Sequence, residues 1–480
     1  MFERRPLVQR LPFRLSPLQA FELFRDRPFC FFLDSGMDVH RLGRYSFMGC
    51  DPFLVLHSRG DKVTIQTADG QQSITGDPFQ VLSGLLSTYK LDSTGLPVPM
   101  AGGAVGYFSY DLCHFIERLP AKAVDDLQLP ECYLGFYDAV VVFDLLEGQA
   151  YIISSGFPEF DETRRQRRAQ ARLEELSALL AESHLLAEAH RIEQPNQDWV
   201  ALRPNFTPEA YLRVVETARQ YIIAGDIFQV NLSQRFETGL AISPYELYRR
   251  LRQVNPAPFA GYLDFGQVAV VSASPERFLK VRGDYVETRP IKGTRPRGSS
   301  PSEDEAQAHC LLSSPKDRAE NVMIVDLERN DLGRVCRYGS VQVTELAILE
   351  AFPTVFHLTS TVVGRLRADK GRIDLLRACF PGGSITGAPK VRAMEIIDEL
   401  EPTRRSVYTG AIGYLSFGGD MDLNIAIRTF LVKEGRAYFQ VGGGIVYDSE
   451  PQAEYQETLD KAKALIQALK LSAKVAVEVR

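Results

Sequence analysis

The chain has 480 residues, which is long for one ordinary core and predicts two or three cores or one large interwoven one. Hydrophobic residues make up 45% and charged residues 24%, which is typical of a globular protein and excludes a disordered or fibrous chain. The formal charge of −6, from 55 basic and 61 acidic residues, gives no general attraction for nucleic acid or an anionic membrane.

The first half of the chain is predicted to be rich in strands. The basic N-terminus is predicted to form the first strand, and two later pairs of strands flank the hairpin signals Asp69-Gly70 and Glu147-Gly148. A polar helix with a narrow leucine stripe follows from about 160 to 186. The polar residues 191–204, which include two prolines, are predicted to link an N-terminal region, 1–190, to a C-terminal region, 205–475.

The C-terminal region is predicted to begin with a helix. Thr207 suits the N-cap, Pro208 suits the first helical position, and the helix should end at Gly225. Strands and helices then mix, so the fold class is predicted to be α+β. One internal similarity joins Gly103–Tyr110 to Gly410–Phe417, but two strands with close backbone contacts would look alike by chance, so one pair does not establish a repeat.

The cysteines and the apolar runs indicate the compartment. Seven cysteines are an odd number, and they form no CxxC pair and no close cluster with histidine. This argues against a disulfide framework or a structural zinc site and indicates a reducing compartment. No apolar run approaches 18 residues, and the N-terminus lacks the apolar segment of an export signal. The sequence therefore predicts a cytoplasmic protein with no membrane partner.

Two acidic pairs with helical spacing are candidates for a metal site. Glu454 and Glu457 share a helix face with Lys461, and Asp317 and Glu320 repeat the three-residue spacing on a second predicted helix. If the two pairs face each other, their oxygens suit a hard cation. The alternative, which spacing alone favours, is that both pairs form surface salt bridges with neighbouring basic residues.

Two glycine-rich segments are candidates for backbone contact with a ligand. Phe380–Lys390 opens a predicted helix but lacks the Lys-Ser/Thr of a phosphate loop, which excludes a nucleoside triphosphate site. The free N–H groups of that helix still suit a carboxylate. The run Gly442, Gly443 and Gly444 would let a ligand approach the backbone closely, with a tight crossing of strands as the alternative.

Lys292 is a candidate nucleophile. It lies between an apolar residue and a glycine, with Arg289 and Arg295 nearby in the sequence. Partial burial and neighbouring positive charge both favour the neutral amine, which is the nucleophilic form. An ordinary surface lysine is the alternative.

Four motifs in the second half resemble those of the chorismate-utilising enzymes. They lie in order between Gly225 and Lys463, and the N-terminal half is similar through two shorter segments. The motifs are Pro290–Arg297, Asp326–Arg334, Gly387–Met394 and Gly442–Val446 with Glu454–Thr458, and the N-terminal segments are Leu33–Gly36 and Leu42–Ser46. The resemblance implies an anthranilate synthase component I-like fold, with two large antiparallel β-sheets packed as a sandwich, flanking helices and interwoven N-terminal and C-terminal parts. It also implies that 205–475 is the chorismate-binding catalytic region.

Two signatures point to one branch of this family. Anthranilate synthases resemble this chain but carry alanine at the position of Lys292, whereas aminodeoxychorismate synthases carry lysine there. The segment Phe228–Phe236, with Asn231, is also similar to the aminodeoxychorismate version. The resemblance implies conversion of chorismate and ammonia to 4-amino-4-deoxychorismate, in p-aminobenzoate and folate biosynthesis. The alternatives are anthranilate synthase component I and a non-catalytic tryptophan-responsive subunit, and the intact Lys292 and Glu276 argue against the latter.

The resemblance also implies the roles of individual residues. Lys292 would add to C2 of chorismate while the C4 hydroxyl leaves with a proton from Glu276, and ammonia would then enter at C4 and expel the lysine. Mg²⁺ would be bound by Glu320, Glu454 and Glu457, with Asp317 acting through water. The implied substrate-binding residues are His357, Ser384, Tyr408, Arg428, Gly442, Gly443, Gly444 and Lys461.

Two further ligands follow from the resemblance. The sequence shows no Cys-His-Glu glutaminase constellation, so a glutamine amidotransferase subunit, aminodeoxychorismate synthase component II, would supply the ammonia. A second pocket, which binds tryptophan in some family members, would lie in the N-terminal half, with a filled apolar core as the alternative. The matching positions are Ser35, Arg44, Tyr45, Pro258, Phe259 and Ala260.

Overall fold

The computed structural model describes residues 4–11, 15–182, 199–352, 355–470 and 474–477. The strands are β1 (Leu7–Arg10), β2 (Phe31–Asp34), β3 (Tyr45–Gly49), β4 (Leu54–Arg59), β5 (Lys62–Thr67), β6 (Gly70–Thr75), β7 (Gly103–Phe108), β8 (Cys132–Tyr137), β9 (Ala139–Asp144), β10 (Gln149–Ser154), β11 (Trp199–Pro204), β12 (Gln229–Gly239), β13 (Phe259–Asp264), β14 (Val268–Ser274), β15 (Arg277–Arg282), β16 (Tyr285–Arg289), β17 (Ile291–Pro296), β18 (Gln342–Ala351), β19 (Val355–Arg365), β20 (Gly387–Ala388), β21 (Ala411–Ser416), β22 (Met421–Ile425), β23 (Thr429–Lys433), β24 (Arg436–Ile445) and β25 (Lys474–Val477).

Helices flank these strands, and most of them begin with a capping side chain and a proline in the first turn. They are α1 (Pro17–Phe21), α2 (Pro78–Thr88), α3 (Glu162–Ala181), α4 (Pro208–Ile223), α5 (Pro244–Val254), α6 (Pro301–Leu312), α7 (Pro315–Gly333), α8 (Arg372–Cys379), α9 (Lys390–Leu400) and α10 (Pro451–Lys470), with 3₁₀ turns at Tyr110–Phe115 and Gly383–Ile385.

The strands form two large sheets. The first sheet has 13 strands in the order β1-β10-β9-β3-β2-β13-β14-β23-β24-β12-β11-β25, with β20 beside β12. The second has 12 strands in the order β17-β19-β16-β15-β22-β21-β7-β8-β4-β5-β6, with β18 beside β19. Apart from the parallel pair β11–β25, the strand pairs are antiparallel. The predicted α+β fold with two large antiparallel sheets is confirmed.

Both sheets combine strands from the two halves of the chain. In the first sheet, β2 pairs with β13, so that Leu33 lies opposite Gly261. In the second, β7 pairs with β21, so that Gly106 lies opposite Gly413. The two similar segments noted in the sequence are therefore neighbours, and a Cβ on either glycine would lie about 2 Å from a backbone carbonyl oxygen, 1.9 and 2.1 Å respectively. This close contact accounts for the glycines, and the interwoven arrangement is confirmed.

The first sheet is buried on both faces. Along β9, Val140 and Val142 pack into the core between the two sheets, whereas Val141 and Phe143 pack into a second core under the helices. This alternation follows from the two-residue period of a strand. Helices α3, α5 and α10 contribute buried leucines and alanines to the second core. The sandwich therefore has an inner core between the sheets and an outer core beneath the helices.

The local predictions can be compared with these elements. The hairpins at Asp69-Gly70 and Glu147-Gly148 join β5 to β6 and β9 to β10, and Thr207 caps α4. The polar helix is α3, and residues 183–186 of its predicted span lie outside the described residues. The prediction of a linker over 191–204 is wrong for Trp199–Pro204, which forms β11 because its backbone bonds to β12 and β25. Residues 191–198 lie outside the described residues.

Within the described part of the chain, no helix combines the length and the apolar character needed to cross a membrane.

Candidate active site

Two crossings of the chain from one sheet to the other position the central charged residues. Glu276 lies between β14 of the first sheet and β15 of the second, and Arg428 lies between β22 of the second and β23 of the first. Arg428 has a φ of +50°, a strained conformation for a residue with a side chain. The crossings therefore bring the carboxyl of Glu276 and the guanidinium of Arg428 to the same end of the inner core.

Glu276 is a buried carboxyl with few partners, and it is 3% exposed. The hydroxyl of Ser384 donates to its Oε1 at 2.5 Å, and the backbone N–H of Ile291 donates to the same oxygen at 3.3 Å. Burial raises the pKa of Glu276 to about 7, although Ser384 and Lys292 oppose the shift. Glu276 can therefore hold a proton near neutral pH, as a general acid must.

Lys292 is half-buried on β17, one residue after the N–H that bonds to Glu276. Burial lowers its pKa, Glu320 and Glu276 oppose that shift, and Lys461 adds to it. The neutral amine expected from the sequence is therefore favoured by the burial of Lys292 and by the positive charge of Lys461.

The prediction that the charges of Arg289 and Arg295 act on the Lys292 amine is wrong. Arg289 pairs with Glu350 at 2.6 Å and Arg295 pairs with Asp317 at 2.9 Å, so both arginines are neutralised by other partners. Proximity in the sequence did not predict the groups that act on the Lys292 amine, because both arginines pair with carboxylates of other elements.

Arg428 and His357 form a second polar group of the candidate site. Arg428 donates from Nη2 to His357 Nε2 at 3.2 Å and from Nη1 to Asn255 Oδ1 at 3.2 Å. His357 Nε2 is therefore an acceptor, so the hydrogen of the neutral ring lies on Nδ1, which is 2.9 Å from Thr294 Oγ1. Burial and the charge of Arg428 lower the pKa of His357 well below its ordinary value, which keeps the ring neutral.

Arg428 is suited to bind an anion. Among the described residues, no carboxylate forms an ion pair with its guanidinium, and burial lowers its pKa to about 10. A half-buried guanidinium without a counter-ion is costly, and a carboxylate of a ligand would relieve that cost through a bidentate contact. The position therefore supports the expected binding of a substrate carboxylate.

The three glycines lie on β24 beside these groups. A Cβ on Gly444 would lie 2.1 Å from the amide nitrogen of Gln229 and 3.6 Å from Lys292 Nζ. A Cβ on Gly443 would lie 3.2 Å from Glu457 Oε1 and 3.3 Å from Glu454 Oε2. A side chain at either glycine would therefore occupy the space between the lysine and the carboxylates of α10.

Helix α10 supplies one of the acidic pairs. Ser449 donates to Glu454 Oε1 at 2.6 Å, whereas the buried Oε2 of Glu454 has no partner. Lys461 bonds to Glu457 Oε1 at 2.7 Å and donates to the carbonyl oxygen of Gly442 at 2.8 Å. Burial raises the pKa of Glu454, and although burial also acts on Glu457, Lys461 keeps the pKa of Glu457 below its ordinary value. Oε2 of Glu454 can therefore accept a hydrogen bond or bind a cation.

Helix α7 supplies the other pair. Burial raises the pKa of Glu320, and the charges of Lys292 and Lys316 oppose the shift. Asp317 is held by Arg295, so it lies in a salt bridge. As they stand, no three histidine, cysteine, aspartate or glutamate side chains of the described residues are close enough to bind a metal ion. The lysines near these carboxylates provide the balancing positive charge.

Tyr408 and Gln229 complete the surroundings. Tyr408 is buried beneath the guanidinium of Arg405, which lies 5.8 Å from its ring centre, and burial raises the pKa of its hydroxyl. Gln229 is 1% exposed, and its Oε1 has no partner. The sequence pointed to Asn231 and not to Gln229. Both residues lie on the same face of β12, so the alternation of a strand would have indicated Gln229 as well.

A separate cavity of about 180 Å³ lies in the N-terminal part of the sandwich. All six positions predicted for a second pocket line it, from Ser35 to Ala260. The Ser35 hydroxyl donates to the Tyr45 carbonyl oxygen at 2.7 Å, and Arg44 is paired with Asp144. The alternative of a filled apolar core is therefore wrong, because the space is open and partly lined by charged side chains.

Comparisons with known proteins agree with this geometry. The chain matches the sequence profile of the chorismate binding enzymes over residues 29–467. It is 41% identical over 474 residues to the aminodeoxychorismate synthase component 1 of Bacillus subtilis (strain 168), covering 98% of each chain, and 42% identical over 459 residues to the anthranilate synthase component 1 of Acetivibrio thermocellus, covering 95% of this chain and 92% of that one.

The fold has a solved counterpart. The crystal structure of anthranilate synthase component I from Streptococcus pneumoniae TIGR4 superposes with a TM-score of 0.78 at 36% identity, covering 94% of this chain and 97% of that one. A match over most of the chain establishes the relationship. The chain belongs to the chorismate binding enzyme family.

Proposed function

We propose that this chain is an aminodeoxychorismate synthase component I, which converts chorismate and ammonia to 4-amino-4-deoxychorismate. The observation that carries the proposal is that Lys292 lies one residue after the N–H that bonds to Glu276, close enough for each charge to act on the pKa of the other group. Burial lowers the pKa of the amine and raises that of the carboxyl to about 7, so burial favours the neutral form of both groups. One is then a nucleophile and the other a proton donor, which is the combination that displacement of a hydroxyl requires.

In the first step, the lone pair of Lys292 Nζ forms a bond to C2 of chorismate. The ring double bonds shift, and the C4–O bond breaks. Glu276 donates its proton to the departing hydroxyl, which leaves as water, because hydroxide is a poor leaving group. Ser384 then stabilises the resulting carboxylate, since it donates to Glu276 Oε1 at 2.5 Å.

In the second step, ammonia forms a bond to C4, the double bonds shift back, and the bond from C2 to Lys292 breaks. The amine of Lys292 is released with its electron pair, and the proton lost by the incoming nitrogen can return to Glu276. Acid and lysine are then restored for another cycle.

Substrate orientation is assigned to the residues around Arg428. Its guanidinium would bind the enolpyruvyl carboxylate, supported by Asn255 and by the neutral ring of His357. The backbone of Gly442–Gly444, which carries no side chain of its own, would lie against the same part of the substrate. Binding both ends of chorismate would hold C2 near Lys292.

The two acidic pairs have the ligand chemistry of a magnesium site, although no three of these side chains, as they stand among the described residues, are close enough to bind a metal ion. Their ligand atoms are all carboxylate oxygens. The buried Oε2 of Glu454 has no partner, which is expected of an oxygen that binds a cation. Glu320, Glu454 and Glu457 would bind Mg²⁺, with Asp317 at a greater distance because Arg295 holds it. When bound, Mg²⁺ would neutralise the ring carboxylate of chorismate.

Anthranilate synthase component I is the second candidate. It is favoured by the relative from Acetivibrio thermocellus, whose 42% identity matches that of the aminodeoxychorismate synthases. Lys292 argues against it, because the anthranilate synthases that this chain resembles carry alanine at that position.

Mass spectrometry of the product tests the choice. The purified chain is incubated with chorismate, an ammonium salt and Mg²⁺, and the reaction mixture is analysed at several times. 4-Amino-4-deoxychorismate retains the enolpyruvyl group, whereas anthranilate lacks it and is fluorescent. Accumulation of anthranilate as the main product would replace the proposal by the second candidate.

Tryptophan is proposed as the ligand of the N-terminal cavity. The cavity contains both polar groups, such as the hydroxyl of Ser35, and the aromatic ring of Phe259, which suits an amino acid with a large ring. Titration calorimetry should show binding of tryptophan by the wild type and its loss in Ala260→Leu, which fills the space. Absence of heat in the wild type would remove the proposal, and it would leave the active-site assignment unchanged.

A further inference from the structure

The loop between α8 and α9 is fixed by a half-buried lysine. Lys390 Nζ donates to the carbonyl oxygens of Cys379 at 2.9 Å and Pro381 at 2.8 Å, and it also pairs with Asp331 of α7. The lysine satisfies two backbone oxygens and one carboxylate at once, so the first part of the loop has one well-defined conformation.

The second part of the loop is fixed by Glu328, which also lies on α7 and is 2% exposed. Its Oε1 accepts a hydrogen bond from the backbone N–H of Gly383 at 2.9 Å, and its Oε2 lies 3.4 Å from the hydroxyl of Thr288. The next residue after Gly383 is Ser384, whose hydroxyl donates to Glu276. A continuous chain of contacts therefore runs from Glu328 to the proposed acid.

We propose that Glu328 is a positioning residue for Glu276: it holds Ser384 in contact with that carboxyl, and its charge influences whether Glu276 retains a proton. The inference rests on the proposed function only for the role of Glu276 in turnover. Glu328 itself touches neither the substrate position nor Lys292, so it acts through the loop and through its charge.

The electrostatic part has a physical basis in the groups that face the two carboxyls. Burial and the charge of Asp331 raise the pKa of Glu328, Lys390 and the Gly383 N–H oppose the shift, Glu276 adds to it, and the resulting pKa is about 7. Glu276 itself faces Lys292, Ser384 and the N–H of Ile291. Because an ionised Glu276 disfavours ionisation of Glu328, an ionised Glu328 must also disfavour ionisation of Glu276.

Two substitutions of Glu328 give opposite predictions. Glu328→Gln keeps an acceptor for Gly383 but removes the negative charge, so Glu276 should lose its proton more easily. The decrease of kcat/KM at high pH should move to lower pH by roughly 0.5–1 unit. Glu328→Leu removes the charge too, but it also removes the acceptor and releases Ser384, whose hydrogen bond is the largest effect that lowers the pKa of Glu276, so the decrease should move to higher pH. Ser384→Ala should shift it in the same direction as Glu328→Leu.

Asp326→Asn is the matched control, because Asp326 lies on the same helix with its side chain 77% exposed. It should leave the pH profile unchanged. A residue that served only the stability of the fold would reduce the amount of active protein without moving the profile. Unchanged profiles in both Glu328→Gln and Ser384→Ala would overturn the inference, even if Glu328→Leu fails to fold.

A second measurement does not depend on turnover. The raised pKa of Glu276 means that the folded state loses stability, relative to Glu276→Gln, as the pH rises from the unfolded value towards about 7. The difference in unfolding free energy between wild type and Glu276→Gln should level off near that pH. When both proteins also carry Glu328→Gln, the difference should level off at a lower pH. If chorismate is not consumed at all, the proposed function fails, and the stability measurement alone decides the inference. The inference would be overturned if the difference levelled off at the same pH with and without Glu328→Gln.

Discussion

At the scale of single residues, replacement of Lys292 by alanine tests the covalent step most directly. The variant should lose most formation of 4-amino-4-deoxychorismate while it remains folded, because a half-buried amine and not a core group is removed. A trace of anthranilate could form, since the change recreates the residue of the anthranilate synthases. Product analysis and thermal unfolding measure both outcomes.

The control for this substitution is Lys463→Ala, because that lysine is 76% exposed on α10 and pairs only with the neighbouring Asp460 among the described residues. Intact mass of the wild type with chorismate and without ammonia should show a covalent adduct that the Lys292 variant lacks. Full activity of Lys292→Ala would end the covalent proposal.

Glu276 gives a prediction about pH. Its pKa is raised to about 7 by burial, and it must carry a proton to act as an acid, so kcat/KM should fall as the pH rises above that value. The rates are compared at a constant concentration of free ammonia, because the fraction of ammonia also rises with pH. Glu276→Gln keeps the shape of the side chain without the proton donor and should reduce the rate by about 10²–10⁴-fold. A rate that is flat to pH 9 would exclude Glu276 as the acid.

At the scale of elements, the helices α7 and α10 should act together as the metal site. Glu320→Gln and Glu457→Gln keep the size of the side chain but remove the charge that a hard cation requires. Each should raise the Mg²⁺ concentration for half-maximal activity by at least about 10-fold, since even outer partners of metal ligands affect affinity by that much. The exposed Glu434→Gln serves as the control. Activity that persists in excess chelator would mean that both pairs are salt bridges only.

The elements that were predictable from the sequence are those decided by neighbouring residues. Thr207 and Pro208 specify the start of α4, and the Asp69-Gly70 turn specifies the hairpin of β5 and β6, because caps and tight turns depend on a few adjacent residues. The pairing of β2 with β13 depends on packing between distant parts of the chain. No local pattern encodes it, so the interwoven arrangement of the two halves followed only from the family resemblance.

The same distinction applies to the candidate site. The three-residue spacing of Glu454 and Glu457 indicated a shared helix face, and the structure places both on α10. The spacing did not indicate that Lys461 adds to the effect of burial on the pKa of Lys292, because that contact joins α10 to β17. The partners Asn255 and Thr294, which orient Arg428 and His357, were missed for the same reason.

At the scale of the whole molecule, the candidate active site and the N-terminal cavity include residues that are neighbours in the chain. Arg277 follows Glu276 directly and lines the cavity, where its guanidinium lies 4.6 Å from the ring centre of Phe259. The same strand, β15, therefore connects both sites. The interwoven halves explain why neither region would be expected to form its site alone, since Ser35 comes from one half and Ala260 from the other.

The source of nitrogen is also a property of the whole chain. A glutaminase needs a reactive thiolate beside a histidine. Six of the seven cysteines are buried, and burial raises the pKa of each thiol, for example to about 12 for Cys50 and about 11 for Cys336. The exception, Cys310, lies exposed on α6. The chain therefore offers no buried thiolate with which to release ammonia from glutamine.

The purified chain should accordingly use ammonium salts with chorismate, increasingly well as rising pH converts ammonium to ammonia until Glu276 loses its proton. It should not use glutamine. Addition of a glutamine amidotransferase subunit should confer glutamine-dependent product, because ammonia released in a complex can enter the cleft without dilution into water. Release of glutamate by the chain alone would show that the two-subunit assignment is wrong. Cys310→Ser would then test whether the exposed thiol is responsible, because it is the one cysteine that glutamine could reach without unfolding.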